Sequence, residues 1–284
     1  MLGTVLYGPR DIRFEARGIP SIEKPTDAVI RMAATCVCGS DLWDYRGINK
    51  VTEPKPMGHE YCGVVEKVGS AVTSIRPGQF VIGSFFASDN TCPNCRAGYQ
   101  SSCMHREFVG TAQAGILRVP LADGTLVATP DMPPKDMIPD LLAVSDVMGT
   151  GWFAADAAEV RPGKTVAVVG DGAVGLLGVD SVIEAVGTRE SMLQAIGSVR
   201  PGGHVGYVGV THGDLPGDRL FFSHAHLHGG PAPVRRFLPE LIDLISTGAI
   251  HPGKVFDLTL PLAQVAEGYR AMDERRAIKT LLRP

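Results

Sequence analysis

A continuous apolar run, Val166-Ala167-Val168-Val169, leads without a break into Gly170-Asp171-Gly172-Ala173-Val174-Gly175. That order constrains the fold of this chain more than any other feature. Short continuous apolar runs mark strands buried on both faces of a parallel sheet. A G-x-G-x-x-G turn closing such a strand lets the backbone approach a pyrophosphate at the N-terminus of the next helix. Gly170, Gly172 and Gly175 are therefore candidate dinucleotide contacts. A glycine turn in any α/β protein has the same pattern, and the strand in front of it is what favours the dinucleotide reading.

With 284 residues, 44% of them hydrophobic, the chain is long enough for two domains with cores of their own. Its formal net charge is -3 and it has no run of lysine or arginine, so no electrostatic footprint for nucleic acid or an anionic membrane is present. No leader-like segment or apolar run of about 18 residues occurs, and a cytoplasmic location is expected. Six cysteines in such a chain fit a reducing compartment better than disulfides. Small molecules and sister subunits are the expected partners.

Two groups of residues have the chemistry of metal ligands. Cys38-Gly39-Ser40-Asp41, Met57-Gly58-His59-Glu60 and Asp146-Val147-Met148-Gly149-Thr150-Gly151 supply a thiolate, an imidazole and a carboxylate. Three such ligands hold zinc and leave a fourth position for water or substrate, so Cys38, His59 and Asp146 are candidate catalytic ligands. Taken alone, His59 would read as a hydrogen-bonded structural histidine. Asp89, Cys92, Cys95 and Cys103 form the second group, closely spaced on one loop. Four such ligands close a tetrahedral shell, and the metal supplies stability that a loop without a core lacks. The alternative is three thiols without metal. Cys36 and Cys62 are left to pack as small apolar residues.

Residues 1 to about 85 alternate short β-type runs with Gly and Pro, the pattern of a small β-rich barrel. The motifs, in this order, resemble the zinc-dependent medium-chain alcohol dehydrogenase family, in the branch with aspartate as third zinc ligand. The resemblance implies an α/β plus β-barrel architecture: a GroES-like catalytic domain over 1–148 and 233–284, and a Rossmann-type parallel sheet over 149–232. It implies two zinc ions per chain, NAD or NADP, and interconversion of an alcohol and an aldehyde or ketone by hydride transfer. It makes Asp89, which stands where many relatives have cysteine, a ligand of a structural zinc with Cys92, Cys95 and Cys103.

The same resemblance gives Glu60 the role of a carboxylate that approaches the metal during ligand exchange, and Asp41 that of orienting His59, with a helix cap as the alternative. Ser40 becomes a proton relay or, alternatively, a cap. Trp43 replaces a relay histidine, Thr150 lies by the nicotinamide, and Lys279 reaches the cofactor phosphate unless it is simply a solvated lysine. His224, His226 and His228 alternate without a Cys or carboxylate and read as a polar strand face.

Only Leu176-Leu177-Gly178-Val179 separates the glycine turn from Asp180-Ser181-Val182-Ile183-Glu184, which in the family is the fourth strand of the sheet. About two βα units, on the order of 60 residues, are missing, and with them the strand tip that would hold the adenosine ribose. In the strand order 3-2-1-4-5-6 the first and fourth strands are neighbours, so the loss joins adjacent strands. Glu190, at a ribose-binding spacing from Gly170, falls beyond that strand and reads as a helix-starting glutamate. Weak cofactor binding and a homo-oligomer that covers the exposed strand edge are expected. The alternative function is a zinc-binding, non-enzymatic protein that has lost its cofactor. A zinc-free quinone reductase would have no use for Cys38, His59 and the cysteine lobe together.

Overall fold

The computed structural model describes residues 1–170, 178–210, 213–215 and 217–284. The chain forms two compact units, one of Met1–Met148 with Pro233–Pro284 and one of Gly149–Ala232.

In the first unit the β-branched and apolar strand Ala28–Cys36 is central. Along one edge it pairs antiparallel with Tyr61–Val68, from Ala28↔Val68 to Thr35↔Tyr61. Its other edge is shared by Ile116–Val119, opposite residues 28 to 31, and by the C-terminal strand Thr280–Arg283, opposite Thr35 and Cys36. Phe80–Gly83 and Leu126–Ala128 extend the sheet on one side, and Leu258–Pro261 lies parallel to Thr280–Arg283 on the other. Ile30, Met32, Tyr61, Val65, Leu117 and Leu126 belong to one buried cluster, and Leu6, Leu42, Met57, Val265, Tyr269 and Leu282 to a second. The Leu281↔Cys36 pairing, with the Val37 N–H donating to the Thr280 carbonyl at 3.0 Å, carries Lys279 into the stretch that holds Cys36 and Cys38.

The second unit has four parallel strands in sequence order: Val166–Val169, Val179–Glu184, Val199–Tyr207 and His226–Gly229. The helix Arg189–Ser198 crosses between the second and third, and begins where Thr188 Oγ1 accepts the Ser191 N–H at 3.1 Å. Val166–Val169 pairs directly with Val179–Glu184, the adjacency expected from joining first and fourth strands.

The expectation that Val166–Val169 is buried on both faces fails. Ala167 and Val169 are buried, but Val166 and Val168 are 42% and 47% exposed. The shortened sheet leaves that face uncovered among the described residues. Gly172 and Gly175 lie outside the described residues. Glu190 is exposed in the first turn of its helix. His226 and His228 share an exposed strand face, and His226 stacks on His204 at 4.6 Å. His224 precedes that strand with φ +52°, so the alternating face holds two of the three histidines. Among the described residues no helix is long and apolar enough to cross a membrane.

Candidate active site

Three local structures bring the first group of ligand-type residues together. Where Ala28–Cys36 ends, the Asp41 Oδ2 accepts the Cys38 N–H at 3.1 Å and shapes the turn into the helix Asp41–Tyr45. Gly58 takes φ +94°, and a Cβ there would lie 2.6 Å from the Gln113 nitrogen, so only glycine can precede His59. Asp146 sits between the helices Ile138–Ala143 and Val147–Ala157, where Ser145 Oγ donates to the Leu142 carbonyl at 2.7 Å.

Cys38, His59, Glu60 and Asp146 each offer a donor atom, and all four lie within 4.8 Å of one another. Cys38 Sγ is 3.6 Å from Asp146 Oδ2, and His59 Nε2 is 3.3 Å from the same oxygen. Zinc bonds of about 2.3 Å to sulfur and about 2.0–2.1 Å to nitrogen or oxygen give tetrahedral edges of about 3.5 Å for S–O and about 3.3 Å for N–O. The donor set therefore fits zinc. Opposite His59 Nε2, the ring Nδ1 lies 3.3 Å from Asp41 Oδ1, which leaves Nε2 free as a ligand.

The buried ionisable groups of this cluster act on one another. Burial alone would push His59 down, but the charges of Asp41 and Cys38 and hydrogen bonds to Asp146 and Asp41 hold it well above the usual imidazole range. Burial raises the Cys38 thiol, with the Lys279 ammonium opposing it, and raises the Glu60 carboxyl against the same ammonium. A dication held by Cys38, His59 and Asp146 would favour the thiolate and the neutral imidazole that zinc ligation requires.

Lys279 is drawn into this cluster. It is 5% exposed, its Nζ donates to Glu60 Oε1 at 2.6 Å and to the Val37 carbonyl at 3.4 Å, and it is not a solvated lysine. The register of the C-terminal strand points it inward. Glu60 Oε2 is buried with no hydrogen-bond partner. Ser40 is exposed at the N-cap position of its helix, but its side chain makes no capping bond. Thr150 and Trp43 are half-buried.

In the second group, Cys92 Sγ lies 3.5 Å from Cys95 Sγ and 3.9 Å from Cys103 Sγ, close to the S–S edge of about 3.8 Å in a tetrahedral zinc shell. Asp89 completes the cluster within 4.8 Å. N–H groups of Met104 and Cys95 hold the Cys92 thiol down to about 7, so its thiolate is available near neutral pH. Asp89 Oδ1 accepts the N–H groups of Thr91 and Cys92 at 2.8 and 3.0 Å, and Oδ2 meets His105 Nδ1 at 2.6 Å. Burial pushes the Asp89 carboxyl up, but these partners outweigh it and hold it well below the usual range. The sequence reading missed His105; its place two residues after Cys103 was the available signal.

A β-rich unit that carries two clusters of metal-ligand-type residues, and a second unit built on a parallel sheet, define a two-unit protein of α/β class. Residues 24–139 match the alcohol dehydrogenase GroES-like domain. A probable zinc-binding alcohol dehydrogenase of Mycobacterium tuberculosis is 31% identical, over all of this chain and 89% of that protein. Zinc-type alcohol dehydrogenase B of Aspergillus flavus is 28% identical, over all of this chain and 81% of that protein. The solved alcohol dehydrogenase TADH from Thermus sp. ATN1 superposes with TM-score 0.89 at 26% identity, over all of this chain and 99% of that one. The chain belongs to the zinc-dependent medium-chain alcohol dehydrogenase family, oxidoreductases that interconvert alcohols and carbonyls with zinc and a nicotinamide cofactor. The mycobacterial comparison runs over 346 positions against 284 residues here, so about 62 positions of that relative have no counterpart in this chain. That deficit is the size of the two βα units found missing in the sequence.

Proposed function

We propose that Cys38, His59 and Asp146 hold the catalytic zinc of an enzyme that oxidises a small alcohol, or reduces the matching aldehyde or ketone, with NAD or NADP. The observation that carries this is the spacing of Cys38 Sγ and His59 Nε2 from Asp146 Oδ2, two distances that match edges of a tetrahedral shell. Bound zinc supplies Lewis acidity toward the substrate oxygen. Asp41 fixes the His59 ring so that Nε2 faces the metal position. Ser40, exposed beside Cys38, takes up the hydroxyl proton and passes it to solvent, since Trp43 offers no titratable relay. Glu60, whose Oε2 is unengaged, is the carboxylate that enters the shell during ligand exchange.

Asp89, Cys92, Cys95 and Cys103 hold a second zinc that stabilises the lobe. Gly170, Gly172, Gly175, Thr150 and Lys279 are assigned to the cofactor. The exposed Val166 and Val168 support a homo-oligomer that covers this sheet face.

Metal content and alcohol oxidation measured together on wild type and Cys38→Ala test the reading. Two zinc ions per chain falling to one, with loss of turnover, support it. Two zinc ions retained in Cys38→Ala would remove Cys38 from the site and overturn it.

A further inference from the structure

Behind Asp41 lie two polar side chains with no role in the chemistry above. Gln113 and Tyr269 are both 0% exposed. Gln113 Nε2 donates to the Cys36 carbonyl at 3.0 Å, which fixes the orientation of the amide. Tyr269 OH then donates to Gln113 Oε1 at 3.2 Å. The second amide hydrogen faces Asp41 Oδ2 at 3.5 Å and the Tyr269 oxygen at 3.1 Å. Asp41 in turn accepts the Cys38 N–H and meets His59 Nδ1.

Gln113 is itself firmly placed. Its N–H donates to the Met57 carbonyl at 3.0 Å, and its carbonyl accepts the Thr4 N–H at 2.9 Å. A Cβ on Gly58 would lie 2.5 Å from Gln113 Cγ, so the glycine before His59 is needed because Gln113 occupies that space. The Tyr269 ring packs on Tyr45 at 5.3 Å. A buried amide and phenol are costly unless bonded, and a pair of apolar side chains would fill this space with no such requirement. Here the bonds converge on the carboxylate behind His59 and on the carbonyl at the base of the Cys38 turn.

We infer that Gln113 and Tyr269 are positioning residues for the zinc centre, acting through Asp41 on His59 and through the Cys36 carbonyl on Cys38. The inference rests on the reading of Cys38, His59 and Asp146 as zinc ligands.

Cobalt(II) titration of the metal-free, full-length protein, followed by visible absorption, tests it. Bands lost in Cys38→Ala identify the catalytic centre; if Cys38→Ala leaves the spectrum unchanged, the ligand reading itself fails and this inference with it. With the ligand reading intact, Gln113→Leu weakens cobalt binding at that centre by about 10–100-fold, the scale for losing a partner behind a ligand, and shifts its bands, while the cysteine lobe binds as before. In an Asp41→Asn background the same substitution has a clearly smaller effect, because only the route through the Cys36 carbonyl is left. Tyr269→Phe deletes one oxygen and keeps the ring on Tyr45, and carries the test if Gln113→Leu does not fold. Unchanged affinity and bands in Tyr269→Phe and in any folded Gln113→Leu protein, or an effect of Gln113→Leu that persists in full on Asp41→Asn, overturns the inference.

Discussion

Lys279 Nζ lies 2.6 Å from Glu60 Oε1, and neither side chain is more than 6% exposed. Burial by itself would pull the lysine down, but Cys36, Glu60 and Cys38 hold it charged, well above the usual range. Removing one member of such a pair strands the other charge away from water. Lys279→Met is expected to destabilise the protein by about 3–5 kcal/mol. The double variant with Glu60→Gln should recover much of that loss. Urea unfolding of both proteins measures this, and a double variant as unstable as Lys279→Met would show that packing and not charge is at stake.

The cysteine lobe has almost no apolar core of its own, since its buried cluster consists of Cys92, Cys95 and Cys103. On the proposed reading its stability comes from bonds to metal. Cys95→Ser is expected to release one zinc per chain and lower stability by several kcal/mol, because metal binding energy here is folding energy. Metal analysis with thermal unfolding before and after chelation reads both effects. If the chelated wild type melts where the loaded one does, the lobe holds no structural metal.

The ligand-type residues were legible because their chemistry and order survive in a linear string: Cys38, His59 and Asp146, and Asp89 with its three cysteines, all meet in space. The burial of Lys279 was not legible. Nothing in Ala277-Ile278-Lys279-Thr280 shows which way one lysine points; the Leu281↔Cys36 register decides it, and strand register is set by long-range pairing. Gln113 and Tyr269 were missed for the same reason, since 156 residues separate two side chains that share a hydrogen bond. The exposed Val166 and Val168 show the converse: an apolar run gives the strand, but burial depends on what the rest of the chain supplies.

Asp123 ties down a distant turn, accepting the Thr73 and Ser74 N–H groups at 2.9 Å and their hydroxyls at 2.9 and 2.6 Å. Burial raises its carboxyl, but the bonds from Ser74 and Thr73 prevail and lower it. A carboxyl lowered in the folded state stabilises above its unfolded value of about 3.9, and that stability is lost as pH falls through the folded value. Asp123→Asn should therefore be less stable than wild type at pH 7 by on the order of 1 kcal/mol, with the gap narrowing below about pH 4. Unfolding curves across that range check the sign. A gap that widens in acid would contradict it.

The shortened sheet bears most directly on the cofactor. Val166–Val169 pairs with Val179–Glu184, and the one acid at the end of that second strand, Glu184, is buried, with Oε1 accepting the Val186 and Gly187 N–H groups and the Ser191 hydroxyl. Its Oε1 is committed to its own turn and its Oε2 is buried. Loss of a few hydrogen bonds to ribose and phosphate costs on the order of 3–6 kcal/mol, which moves a micromolar dissociation constant to about millimolar or weaker. NAD and NADP should therefore bind weakly and almost alike, and nicotinamide mononucleotide should bind within about tenfold of either, since 1.4 kcal/mol is one decade. Calorimetric titration of the zinc-loaded protein with all three ligands decides the matter. Micromolar binding of NAD with a hundredfold weaker mononucleotide would mean that an adenosine site exists despite the missing strands, supplied by a sister subunit or by residues 171–177.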